Sequence, residues 1–172
     1  MRVKVYLFAS AVFMLLVNAA PLPAATAESV NLASVDACSL LTPAELGAAV
    51  GVPMDSYFHA QNHNHAGPTT ICTWQSPPRG DGPPVTLMFL QLSVMPFAKS
   101  IFEQEKYRAG QENVTNVSGL GDDAYYAQIG PMTILNVKKG AIEVKVTWAG
   151  TTDDQTAMDA ERSIAAQVLS EL

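Results

Sequence analysis

The chain has 172 residues, 10 Lys and Arg against 16 Asp and Glu for a net charge of −6, and 48% hydrophobic residues. An acidic surface repels phosphate backbones and anionic lipid headgroups, so nucleic acid is not an expected partner. With two cysteines this is no disulfide-dense miniature fold. A chain of this size buries roughly 70% of the surface its unfolded form exposes, so folding alone requires no metal.

The first residues address the compartment. Met1 to Lys4 is a short basic start, Val5 to Ala20 is apolar and uncharged, and Pro21 and Pro23 precede the small-residue site Ala25-Thr26-Ala27. That pattern predicts a secretory signal peptide over residues 1–27. The apolar run of 16 residues is shorter than the ~20 needed to cross a bilayer, and no later stretch approaches it. The mature chain is therefore expected to be exported, periplasmic or extracellular, with no membrane span after cleavage. Loss of Arg2 and Lys4 takes the net charge from −6 to −8. The 145 residues left after Ala27 suit one domain: a linker over residues 28–37 and a single α+β domain over 38–172.

Cys38 and Cys72 both lie in the exported part, where an even pair is most simply a disulfide. A helix is signposted at Pro43 to Val50. Thr42 caps it, Pro43 fits its first turn, Glu45 completes a capping box, Leu41 and Leu46 occupy staple positions, and Gly51 ends it. Ser56 to Ala60 is a possible short strand. Gln61 to Gly67 has no apolar period and reads as a loop. Thr69 to Gln75 is a β-branched and aromatic strand, and Ser76 to Pro84, with four prolines and two glycines, is a long turn.

Val85 to Val94 is apolar on both sides over much of its length, which predicts a central strand. Pro96 opens a helix to about Arg108, with Lys99, Glu103 and Lys106 toward water. A strand near Asn113 to Val117 follows. Then comes the clearest signal in the chain, a three-strand meander: Asp123 to Ile129, Met132 to Val137 and Ala141 to Trp148, joined at Gly130-Pro131 and Lys138-Lys139-Gly140. In its last strand Ile142, Val144, Val146 and Trp148 point to a core, and Glu143, Lys145 and Thr147 to water. A final helix opens on Thr152-Asp-Asp-Gln155 as a capping box and carries Ala157, Ala160, Ile164, Ala165, Val168 and Leu172 as an apolar stripe. The sum is an α+β fold: a mainly antiparallel sheet of about six strands, two helices packed on one face, and a short N-terminal helix.

Cys38-Ser-Leu-Leu-Thr-Pro-Ala-Glu-Leu46 with Gly51, Cys72-Thr-Trp74 and Gly119-Leu-Gly-Asp-Asp-Ala-Tyr125 resemble the uncharacterised cell-envelope domains of unknown function found in many actinobacterial lipoproteins. The resemblance covers most of Cys38 to Leu172. It implies an α+β domain with the two cysteines paired, and carries no activity or catalytic residue with it. No cysteine follows the apolar run here, so a freely exported form is expected rather than a lipid-anchored one.

Chemistry is thinly marked. No Gly-x-Ser-x-Gly, His-Glu-x-x-His or Ser-x-x-Lys motif is present. All three histidines, His59, His63 and His65, fall within seven residues. Imidazole is a common ligand of zinc and copper, so the cluster is a candidate transition-metal site, set against a solvated loop rich in Asn and His. Asp122-Asp123 and Asp153-Asp154 are better explained by a Gly-rich turn and a helix start than by a calcium site. Tyr125 and Tyr126 point to opposite faces of one strand, as core residues or with one at a binding surface. The expected function is an exported, non-catalytic module that binds an envelope partner protein or a small ligand, without a cofactor. The alternative is a zinc or copper binder using the three histidines.

Overall fold

The computed structural model of the protein describes residues 35–64, 67–78, 86–94, 98–150 and 153–172. The expected signal peptide and most of the expected linker lie outside these residues, as do His65, most of the proline-rich turn and the expected cap Thr152.

A 3₁₀ turn, Ala37–Ser39, leads into helix α1, Pro43–Val50. Thr42 Oγ1 accepts from Glu45 N at 3.2 Å while the Glu45 carboxylate accepts from Thr42 N at 2.7 Å, completing the predicted capping box. Gly51 closes the helix at φ 74°, a left-handed conformation that costs least without a Cβ. Leu41, Leu46 and Val50 are buried.

Among the described residues seven strands form one antiparallel sheet, in the order β1-β2-β3-β7-β6-β5-β4. They are β1 Asp55–Asn64, β2 Gly67–Gln75, β3 Leu87–Val94, β4 Val114–Val117, β5 Asp123–Ile129, β6 Met132–Lys139 and β7 Ile142–Ala149. Two meanders, β1-β2-β3 and β4-β5-β6-β7, meet along the β3–β7 seam, where Leu90 opposes Val146 and Leu92 opposes Val144. Helix α2, Ala98–Ala109, carries the chain from one meander to the far edge of the other, and α3, Asp154–Glu171, follows β7.

The helices divide between the two faces. Helices α1 and α3 pack together over the main core, where Trp74, Met88, Leu90, Leu135, Val137, Val144, Val146 and Trp148 meet Ala157, Ala160, Ile164, Ala165 and Val168. Helix α2 lies on the other side, against β5 and β7, through Phe102, Tyr125 and Ala127. The expectation that both longer helices share a face is thus corrected. Adjacent residues on a strand face opposite ways, and Tyr125 meets α2 whereas Tyr126 donates its hydroxyl proton to Met158 O of α3. Both tyrosines are buried.

Two further details differ from expectation. The first hairpin extends through the polar segment read as a loop, with Asn62 opposite Thr69, His63 opposite Pro68 and Asn64 opposite Gly67. Paired β2 supplies the ladder that the Asn-His sequence does not ask for by propensity. At the last helix the cap is Asp153, whose carboxylate accepts from Thr156 N at 3.0 Å. The disulfide Cys38–Cys72 staples the N-terminal turn to β2 with its Cα atoms 5.1 Å apart. Closing a loop of 34 residues is worth up to about 4 kcal/mol in chain entropy.

Candidate functional site

The face under α2 collects the chemistry. Phe102, Glu105, Lys106 and Ala109 recur at helical spacing and so share one side of α2. Phe102 meets the Tyr125 ring edge-on, with centroids 5.0 Å apart and planes at 69°. Lys106 Nζ stands 5.5 Å from the centre of the same ring and 3.8 Å from Asp123 Oδ1. Glu105 Oε2 accepts from Lys145 Nζ of β7 at 3.0 Å, and that ammonium lies 3.8 Å from Glu143 Oε1.

Glu143 was expected to face water, but only 2% of it is exposed. The alternation of β7 does turn it away from the main core; α2 then covers the face to which it turns. Neither of its carboxylate oxygens has a hydrogen-bond partner among the described residues. Burial pushes its carboxyl up to about 7; nearby Lys145 opposes that shift and nearby Glu105 adds to it. Two acids thus flank one lysine. Burial also drives the Tyr125 phenol far above its ordinary value.

Beside this cluster lies a cavity of about 220 Å³. Tyr125, Ala127, Ile129 and Ile134 give it apolar walls; Glu105, Lys145, Asn136 and Arg108 give it polar groups. A second, of about 370 Å³, opens on the other flank of α2 between Lys106, Tyr107, Val114 and Asn116.

The main core holds a different acid. Glu161 of α3 is fully buried, and one of its oxygens accepts from both Thr133 Oγ1 at 3.0 Å and Trp148 N at 2.9 Å. Burial raises its carboxyl to about 8 despite those two bonds. It is four residues past Ala157 and three before Ile164, inside the predicted apolar stripe. An acid at that spacing was the available signal for it, and the apolar reading passed over it.

The sequence candidates fall elsewhere. His59 and His63 lie on β1, whose rise places their backbones ~13 Å apart, and His65 is outside the described residues. His59 Nε2 is 3.1 Å from Asp36 Oδ1, with each side chain 42% exposed. That pair stands beside the disulfide: His59 is opposite Cys72 across the β1–β2 ladder, and Asp36 also accepts from Cys38 N at 2.8 Å. Asp122 serves as a turn clasp, accepting from Gly140 N at 2.7 Å, which holds its carboxyl below the ordinary range. Asp123 begins β5 and Asp154 begins α3.

Among the residues lining the 220 Å³ cavity there is no serine, cysteine or histidine to serve as a nucleophile–base pair. The lining joins apolar walls to a few convergent polar groups, the composition common to small-molecule sites. No protein-family model matches the chain, and no curated protein is found to be similar to it.

Proposed function

We propose that the chain is an exported, non-catalytic binding protein that takes a small ligand in the cavity beside α2. The observation that carries this reading is the meeting of apolar walls, Tyr125, Ala127 and Ile134, with the Lys145–Glu105 pair and the Asn136 amide. At about 220 Å³ the space is below the ~300–1,000 Å³ of drug-sized sites and suits a molecule the size of an amino acid. Lys145 can turn from Glu105 to a ligand carboxylate, and Glu105, so released, can take a ligand ammonium. The signal-like N-terminus supports an exported location, and the mixed apolar and charged lining supports binding of a small amphipathic molecule.

The test is a two-dimensional amide spectrum of the ¹⁵N-labelled protein titrated with amino acids, short amines and short acids. Binding at the site moves the amides of Ala127, Asn136 and Lys145 and leaves those of β1 in place. Ile134→Trp fills the cavity and removes the response. A library that moves none of these amides, or binding indifferent to Ile134→Trp, rejects the reading.

A further inference from the structure

We propose that reduction of the Cys38–Cys72 disulfide turns the corner between the 3₁₀ turn, β1 and β2 into a metal site of the zinc type, with Asp36, Cys38, His59 and Cys72 as its four ligands. One donor atom from each of Asp36, Cys38 and His59 lies within 4.8 Å of the other two. With Zn–S near 2.3 Å and Zn–N or Zn–O near 2.0 Å, the edges of a tetrahedral site are about 3.3–3.8 Å. The three donors therefore need to close by about 1.5 Å at most. Cys72 is the fourth donor; its sulfur is not among those already within 4.8 Å of one another and must swing inward on reduction, from a position set by its bond to Cys38 and by its backbone pairing with His59. Once the bond is broken, the two sulfurs relax to about 3.7 Å, which is also the sulfur–sulfur edge of a zinc site.

The ligand positions do not depend on the disulfide for their placement. His59 and Cys72 are fixed by the β1–β2 ladder. The turn that carries Asp36 and Cys38 is held by the buried bond from Ala37 N to Thr70 Oγ1, 3.2 Å, and by the burial of Ala37 and Leu41. In the oxidised chain the sulfurs are bonded to each other, and Asp36 and His59 satisfy one another. Two thiolates, one imidazole and one carboxylate form a donor set of borderline softness that suits zinc. The site shares only His59 with a three-histidine arrangement.

The chemistry balances with a dithiol as reductant. It gives two electrons and two protons to the protein disulfide, which becomes two thiols, and closes to its own disulfide. The metal ion then displaces the two thiol protons as the Zn–S bonds form. Such a state exists before the disulfide has formed, or wherever a dithiol reaches the exported protein.

The experiment is an anaerobic titration of the reduced and the oxidised protein with Co²⁺, followed by Zn²⁺. The reduced protein is expected to bind one Co²⁺ with a thiolate-to-cobalt charge-transfer band and the visible bands of a tetrahedral site, and to release it to Zn²⁺. The oxidised protein shows neither band. Asp36→Ala and His59→Ala each weaken binding by at least ~10-fold, no less than the loss of a supporting partner alone, and His63→Ala leaves it unchanged. Equal binding by the oxidised protein overturns the proposal, as do charge-transfer bands indifferent to Asp36 and His59, which would mark chelation by two thiols of an unfolded chain. Near-ultraviolet circular dichroism of the buried Trp74 and Trp148 follows the fold. If reduction abolishes that signal, its return on adding Zn²⁺ supports the site, and its failure to return overturns it.

Discussion

The two faces of the sheet solve the same problem differently. Under α1 and α3 a continuous apolar layer seals the strands, and the one acid within it, Glu161, has two donors on one oxygen. Under α2 a small aromatic cluster shares the surface with Lys145, Glu105 and Glu143, and cavities open on both flanks of the helix. Sealing gives stability and pushes open space to the outer rims of the helices, a shallow groove of about 500 Å³ beside α1 and one of about 220 Å³ beside α3. Partial cover gives less stability and leaves polar groups at the rim of open space, so the candidate site falls on the weaker face.

The contrast is sharpest at two neighbours on β6. Leu135 is fully buried in the main core, whereas Ile134 is half-buried against the α2-side cavity. Leu135→Ala is expected to cost about 3 kcal/mol and Ile134→Ala about 1 kcal/mol, both read from denaturant unfolding. Equal costs would erase the distinction between the faces.

Proton linkage gives the next test. Glu161 and Glu143 hold their protons more tightly folded than unfolded, with values about 8 and about 7 against an ordinary 4.5. Their contribution to stability is full below pH 4.5 and is lost as pH rises through 7 and then 8. Stability should therefore fall from pH 5 to pH 9. Replacing Glu161 by Gln, which mimics the protonated acid, changes little at pH 5 and stabilises by on the order of 3 kcal/mol at pH 9. Glu143→Gln does the same more weakly, on the order of 2 kcal/mol, because Lys145 already offsets part of the charge. Melting curves across that range check both; a wild type as stable at pH 9 as at pH 5 would refute the assignment. At acid pH the exposed Glu45, Asp122 and Asp153, whose hydrogen bonds hold them below their ordinary values, work in the opposite sense and set the lower limit.

The smallest effect belongs to the latch on α2. Lys106→Met removes a partly exposed cation from Tyr125 and Asp123 and is expected to cost about 0.5–1 kcal/mol, less at high salt. A loss as large as that of Leu135→Ala would mean that α2 is held by its charges rather than by Phe102.

What could be read in advance was what local rules govern. Helix α1 was legible to the residue because Thr42, Pro43, Glu45 and Gly51 each act within one turn. The β5-β6-β7 meander was legible because short turns and alternation coincide. The missed features depend on partners distant in sequence. Nothing in Asn62-His63-Asn64 asks for a strand until β2 lies beside it. Alternation turns Glu143 out of one core but cannot report that α2, some forty residues earlier, returns to cover it. Lys145 and Glu105 meet for the same reason, so the site had no contiguous motif. The disulfide was legible from the even count and the expected export, but not the approach of Asp36 and His59 to it.

The polarity that hides β1 from pattern reading has a further consequence. β1 ends the sheet on one side, and at ten residues it is far longer than the four-residue β4 that ends it on the other. A long terminal strand of apolar residues is a template on which other chains can add. The sequence from Gln61 to Asn64 contains no apolar residue, and the irregularity between Ser56 and Phe58 breaks the straight row of backbone groups. The least strand-like stretch of the hairpin thus guards the sheet against growing by one more molecule.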